Sequence, residues 1–165
     1  SWCVVIHFAP SDAEAEMRTW LEGLSRRTIE FIPQPGGDLG VRLISAMDYG
    51  FASGADLVFF LGGDCPGTTC GYLKEAEAAL AKTDMVIAGA LDGGYVLLGL
   101  RKPTAAVFEA IPWSSDSVFS ATLGRARAAG LTYECLSSLE DVDDLESYER
   151  QRATIQDLVR ASSVL

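Results

Sequence analysis

The chain has 165 residues, with 13 Lys and Arg against 23 Asp and Glu, a formal net charge of −10 at pH 7. Apolar residues make up 48% and charged residues 22%, the balance of one folded domain of ordinary size, which excludes a disordered chain and a collagen-like repeat. No apolar run approaches the ~20 residues that span a bilayer, and so acidic a chain is a poor partner for nucleic acid, whose phosphates call for a basic surface.

The predicted elements alternate. Residues 4–8, Val-Val-Ile-His-Phe, read as a buried strand. No basic segment precedes this apolar start, so it is not read as a signal peptide. Ser11 with Glu14 fits a capping box, and Ala13, Met17, Trp20, Leu21 and Leu24 follow at helical spacing. Residues 28–32 form a short strand, and two Pro and two Gly make 33–38 a loop. Leu39, Leu43, Met47 and Phe51 mark a helix with Asp38 as its cap. Residues 57–61 are apolar on both faces, as in a central parallel strand. A helix at 71–82 and a strand at 85–88 come next. Asp92-Gly93-Gly94 then turns into a strand at 95–100, expected to run antiparallel or at an angle. Short helices around 105–110 and 117–129, a strand at 131–136 and a helix at 144–159 complete the chain.

Strands alternating with helices predict an α/β domain: three layers, αβα, around a mainly parallel, mixed sheet. Ligands of such sheets bind beyond the carboxyl ends of the strands, and the unusual loops of this sequence sit there. Cysteine usage points to a reduced, cytoplasmic protein. Cys3, Cys65, Cys70 and Cys135 form no CxxC pair. Cys3 and Cys135 lie in strand-like runs and are expected to be buried thiols. Cys65 and Cys70 lack the second pair that would complete a zinc site.

Three loops carry candidate chemistry. In Gln34-Pro35-Gly36-Gly37-Asp38-Leu39-Gly40-Val41-Arg42, the glycines let the backbone approach a ligand and the following helix N-terminus offers free N–H groups. Arg42 adds a cation and Gln34 an amide suited to a base edge; a plain turn with a helix cap would use the same residues. Asp64, in Gly62-Gly63-Asp64-Cys65-Pro66, stands at the mouth of an apolar strand, where a hard divalent cation is favoured. A turn aspartate is the structural alternative. Asp92 lies on a glycine turn of hairpin type. Asp141 and Asp143 share one side of an extended segment, unless with Asp144 they cap the last helix. The sole histidine, His7, reads as a strand residue, and neither GxSxG nor GxxxxGK[ST] occurs, so a Ser/His/Asp hydrolase and a P-loop protein are set aside. Trp113 either stacks on a ligand ring or packs on the sheet.

The stretch from Gln34 to Arg42, then Gly63-Asp64-Cys65-Pro66, then Asp92-Gly93-Gly94-Tyr95-Val96-Leu97-Leu98-Gly99-Leu100, then Trp113-Ser114-Ser115, then Asp141-Val142-Asp143 closely resembles the selenodomain-associated transferases. These are nucleotide-diphospho-sugar transferases of glycosyltransferase A-type fold; molybdenum-cofactor and phospholactate guanylyltransferases resemble it more distantly. The resemblance implies a transferase that moves a glycosyl or nucleotidyl group from a nucleotide or nucleotide-sugar to a small-molecule acceptor, with Mg²⁺ or Mn²⁺. Gln34, Gly37, Asp38, Gly40 and Arg42 would face the nucleotide. Asp64, with Asp143 or Asp141, would hold the metal. Asp64 and Asp92 would be catalytic, and Asp92, Gly93, Gly94, Tyr95 and Trp113 would line the substrate pocket. Relatives begin with one more strand and a basic Gly-rich phosphate loop. The chain is therefore expected to be a single, N-terminally incomplete domain whose free sheet edge invites dimerisation. The competing expectation is a noncatalytic nucleotide- or sugar-binding domain. A haloacid dehalogenase-type phosphatase is disfavoured, because its Asp-x-Asp sits near the start of a domain, not its end.

Overall fold

The computed structural model describes residues 2–21 and 29–162. In chain order the elements are β1 (Val4–Phe8), α1 (Glu14–Trp20), β2 (Ile29–Pro33), α2 (Leu39–Ala52), β3 (Val58–Leu61), α3 (Cys70–Leu80), β4 (Met85–Gly89), β5 (Tyr95–Leu100), a 3₁₀ turn (Ala105–Val107), α4 (Val118–Ala128), β6 (Tyr133–Leu136) and α5 (Leu145–Ser162). Leu24 and Thr28, assigned to a helix and a strand from sequence, lie outside the described residues.

Four strands form the central sheet in the order β3-β5-β4-β6. β5 runs antiparallel to both β3 and β4, and β6 runs parallel to β4. So β3, β4 and β6 share one direction and β5 opposes them, as its short connection to β4 requires. A parallel crossover needs a dozen or more residues. Both faces of this sheet are covered. On one face Met85, Ile87, Leu98 and Leu100 pack with Met47 of α2, Val107 and Phe108 beside the 3₁₀ turn, and Leu123 and Ala126 of α4. On the other face Val86, Ala88, Val96 and Leu97 meet Ala76, Ala79 and Leu80 of α3. The residues of β4 alternate between the two cores, as the two-residue period of a strand dictates. Ile87 and Leu98 are completely buried, and each such side chain contributes ~1.5–3 kcal/mol. The result is the expected three-layer α/β fold.

Four expectations need correction. β1 and β2 pair in parallel, but as a separate two-stranded sheet. Trp2, just before β1, meets Phe59 of β3, with ring centroids 5.2 Å apart. Second, β3 is an edge strand of its sheet, not a central one. Its two-faced apolarity is nevertheless explained, because Phe60 packs into one core and Phe59 into the other. Third, the Ser11–Glu14 capping box does not form; residues 10–13 make a turn, Ala13 N–H to Pro10 O, and Ala13 is the N-cap. Fourth, Cys3 and Cys135 are exposed, since Cys3 precedes strand β1 and Cys135 lies on the outermost strand, β6. No helix of the described residues is long and apolar enough to cross a membrane.

Candidate metal centre and nucleotide loop

Because β3, β4 and β6 are co-directional, the loops after them emerge at one end of the sheet. Asp64 follows β3, Asp92 stands between β4 and β5, and Asp141 and Asp143 follow β6. Backbone hydrogen bonds stitch these loops together. Leu139 N–H donates to Gly89 O at 3.1 Å, and Val142 N–H to Asp64 O at 2.9 Å. The turn between β4 and β5 is closed by Ala90 N–H to Gly94 O and by Gly94 N–H to the Asp92 carboxylate at 2.8 Å. Gly93 adopts φ 95°. A Cβ there would stand 2.2 Å from Asp116 O, and the Gly93 carbonyl accepts from Phe119 N–H. Only glycine fits a left-handed turn pressed this closely on its neighbour.

This stitching brings one carboxylate oxygen from each of Asp92, Asp141 and Asp143 within 4.8 Å of one another. Two oxygens on one Mg²⁺ or Mn²⁺ at ~2.1 Å stand at most ~4.2 Å apart, so small side-chain shifts bring the set onto one ion. All three donors are hard oxygens, the ligand type such cations select. Burial is the main cause that pushes the Asp141 carboxyl above its ordinary range, and the negative charges of Asp143, Asp92 and Asp64 push it further. A cation would relieve both. Asp64 thus lies beside the cluster, joined through its carbonyl and felt through its charge, while Asp92 is among the three that converge. Asp144 does cap α5: its carboxylate accepts from Ser147 N–H at 2.7 Å. That leaves Asp141 and Asp143 free of the capping role.

The carboxylates line a recess of about 170 Å³ together with Leu91, Glu140, Ser147 and Arg150. The sequence reading did not single out Glu140 or Arg150. Arg150 Nε donates to Glu140 at 2.6 Å and its Nη1 to Glu146 at 2.7 Å. The i,i+4 spacing of Glu146 and Arg150 was visible in sequence; the contact of Arg150 with Glu140, ten residues away, was not.

In the loop from Gln34 to Arg42 the side chains bond to one another and to the neighbouring strand. Gln34 Nε2 donates to His7 O at 3.1 Å, and its Oε1 accepts from Arg42 at 3.1 Å. Asp38 caps α2 by accepting from Val41 N–H at 2.9 Å. Gly37 has φ 119°. Gly40 is buried, and a Cβ would sit 2.6 Å from Phe108 O and 3.1 Å from the Trp113 ring nitrogen, so the helix start packs tightly on the Trp113 loop. None of these residues lines the acidic recess. Among the described residues, buried Arg42 Nε has no hydrogen-bond partner, and neither has the buried hydroxyl of Tyr95. Trp113 meets Tyr95 edge to face, 6.4 Å between centroids, and both pack against the core. His7 is half-buried and stands edge-on to Tyr49; burial lowers its pKa.

The profile of a family described as "Uncharacterized protein conserved in bacteria (DUF2064)" matches residues 1–115. No curated protein sequence matches the chain. Among solved structures it resembles the crystal structure of a "putative nucleotide-diphospho-sugar transferase" from Desulfovibrio desulfuricans G20, with a TM-score of 0.76 and 27% identity. The match covers 93% of this chain and 74% of that one.

Proposed function

The chain belongs to the DUF2064 family, and from that premise we propose that it is a metal-dependent transferase acting on a nucleotide-activated substrate. The observation that carries this reading is the convergence of Asp92, Asp141 and Asp143 at the carboxyl ends of β4 and β6, in a fold shared with a protein described as a "putative nucleotide-diphospho-sugar transferase". Strand carboxyl ends are where open α/β sheets bind ligands.

In this reading the three carboxylates hold Mg²⁺ or Mn²⁺, with Asp64 adding negative potential at its side. The bound cation supplies charge neutralisation for a diphosphate leaving group. The protein's part is orientation. The Asp92 turn, fixed by Gly93 against Asp116, holds one ligand rigid while the Asp141–Asp143 segment presents two more from its alternate positions. Arg42, held by Gln34, would supply the cation for an anionic nucleotide. Transfer of a sugar and transfer of a nucleotidyl group place the same demands on these residues.

The test is thermal denaturation of the chain with nucleotides and nucleotide-sugars, with and without Mn²⁺. A ligand at 100 times its Kd adds about 2.7 kcal/mol, a rise of about 5–10 °C in Tm for a domain of this size. Stabilisation that requires both Mn²⁺ and a nucleotide supports the reading. Binding without turnover of any nucleotide-sugar would assign the noncatalytic binding role, and no stabilisation by Mn²⁺ would overturn the metal reading.

A further inference from the structure

We propose that the Glu140–Arg150 ion pair is a positioning device for the metal carboxylates, an inference that rests on the metal reading above. Glu140 immediately precedes Asp141, and its side chain is 19% exposed. One of its carboxylate oxygens accepts from Arg150 Nε at 2.6 Å. The other accepts from Gln151 at 3.3 Å, and Gln151 also donates to the Glu140 carbonyl at 3.1 Å. The Cys65 thiol donates to that same carbonyl at 3.5 Å. Two residues on, Val142 N–H donates to Asp64 O. The segment is therefore pinned at Glu140 to helix α5 and at Val142 to the β3 loop. Asp141 and Asp143 are the positions between and beyond the pins, and they alternate onto one side.

Two physical roles for Arg150 predict opposite outcomes. If it acts only as a charge, it opposes a divalent cation nearby, and removing it tightens metal binding. If it acts by holding Glu140, and through it the Asp141 backbone, removing it lets the ligands spread and weakens metal binding. The geometry favours the second. The pair is made through Nε, and Glu146 holds Nη1 of the same guanidinium at 2.7 Å. Outer-shell partners of metal ligands typically set affinity by 10–100-fold, while a part-exposed ion pair contributes little to folding stability.

The experiment is Mn²⁺ titration of the chain, followed by the electron paramagnetic resonance signal of free Mn²⁺, for wild type, Arg150→Gln, Arg150→Lys and Glu140→Gln. The expected result is about tenfold weaker Mn²⁺ binding in both Arg150 variants and in Glu140→Gln, with Tm close to wild type. Arg150→Lys keeps the charge and the fold but not the fork geometry, so it stays informative if the Gln variant folds poorly. Binding by Arg150→Gln as tight as wild type or tighter, with Arg150→Lys unchanged, would overturn the positioning role. A wild-type chain that takes up no Mn²⁺ would overturn the metal reading itself, a separate failure.

Discussion

Asp141 is the residue on which the electrostatics of the site concentrate. Burial first, then the neighbouring carboxylates, raise its pKa. Between its ordinary value of 3.8 and that raised value, the folded chain holds more protons than the unfolded one. The metal-free protein therefore loses stability as pH rises through this window. Asp141→Asn removes that penalty and one metal ligand at once. The expected outcome is a variant that melts above wild type in chelator at neutral pH and binds Mn²⁺ at least about tenfold more weakly, so that the order of melting temperatures inverts when Mn²⁺ is added. Lower stability than wild type in chelator would show Asp141 to be a structural aspartate. The alternation of Asp141 and Asp143 made their shared side legible from sequence. The convergence of Asp92 with them was not, because it depends on the register of β4 against β6, where Ala88 faces Leu136. For the same reason the partner carbonyl of Gln34 was not legible: His7 is 27 residues away.

At the scale of elements, the far end of the sheet is held by a clamp that no motif announced. Asp84, just before β4, accepts from the backbone N–H of Thr132 at 2.9 Å and from its hydroxyl at 2.8 Å, and pairs with Lys102 at 3.1 Å. These bonds, the backbone one first, lower its pKa from 3.8 to about 2. The stability they contribute is present above the unfolded value and is lost as pH falls toward the folded one. Asp84→Ala should cost about 1 kcal/mol, allowing for solvent screening at this half-exposed site. That corresponds to a fall of about 2–4 °C in Tm at neutral pH, and the two proteins should converge near pH 2. A constant gap across that range would assign the loss to packing. Element order and the antiparallel course of β5 were readable because turn lengths and apolar periods are local. The edge position of β3 was not, since apolarity on both faces reports what covers a strand above and below, never what pairs with it sideways.

Across the whole molecule, burial is uneven. β4 is fully buried and β5 nearly so, whereas β1 and β2 are largely half-exposed, with Val4 43% exposed. Stability is local where buried contacts are few. Amide hydrogen exchange should therefore be fastest, among the strands, in β1 and β2 and slowest in β4 and β5, with Mn²⁺ adding protection around residues 89–94 and 139–143. Equal protection of all strands would show that the two sheets open as one unit. The Asp92–Gly94 turn bears on a different matter, the variation of length among relatives. A Cβ on Gly93 would collide with the Asp116 backbone, and the Gly93 carbonyl accepts from Phe119 N–H. An inserted residue beside Gly93 would press on that backbone, and it would swing Asp92 away from its two partners. Insertions and deletions accepted over evolution should therefore fall elsewhere, and this turn should keep one length wherever the three carboxylates are kept.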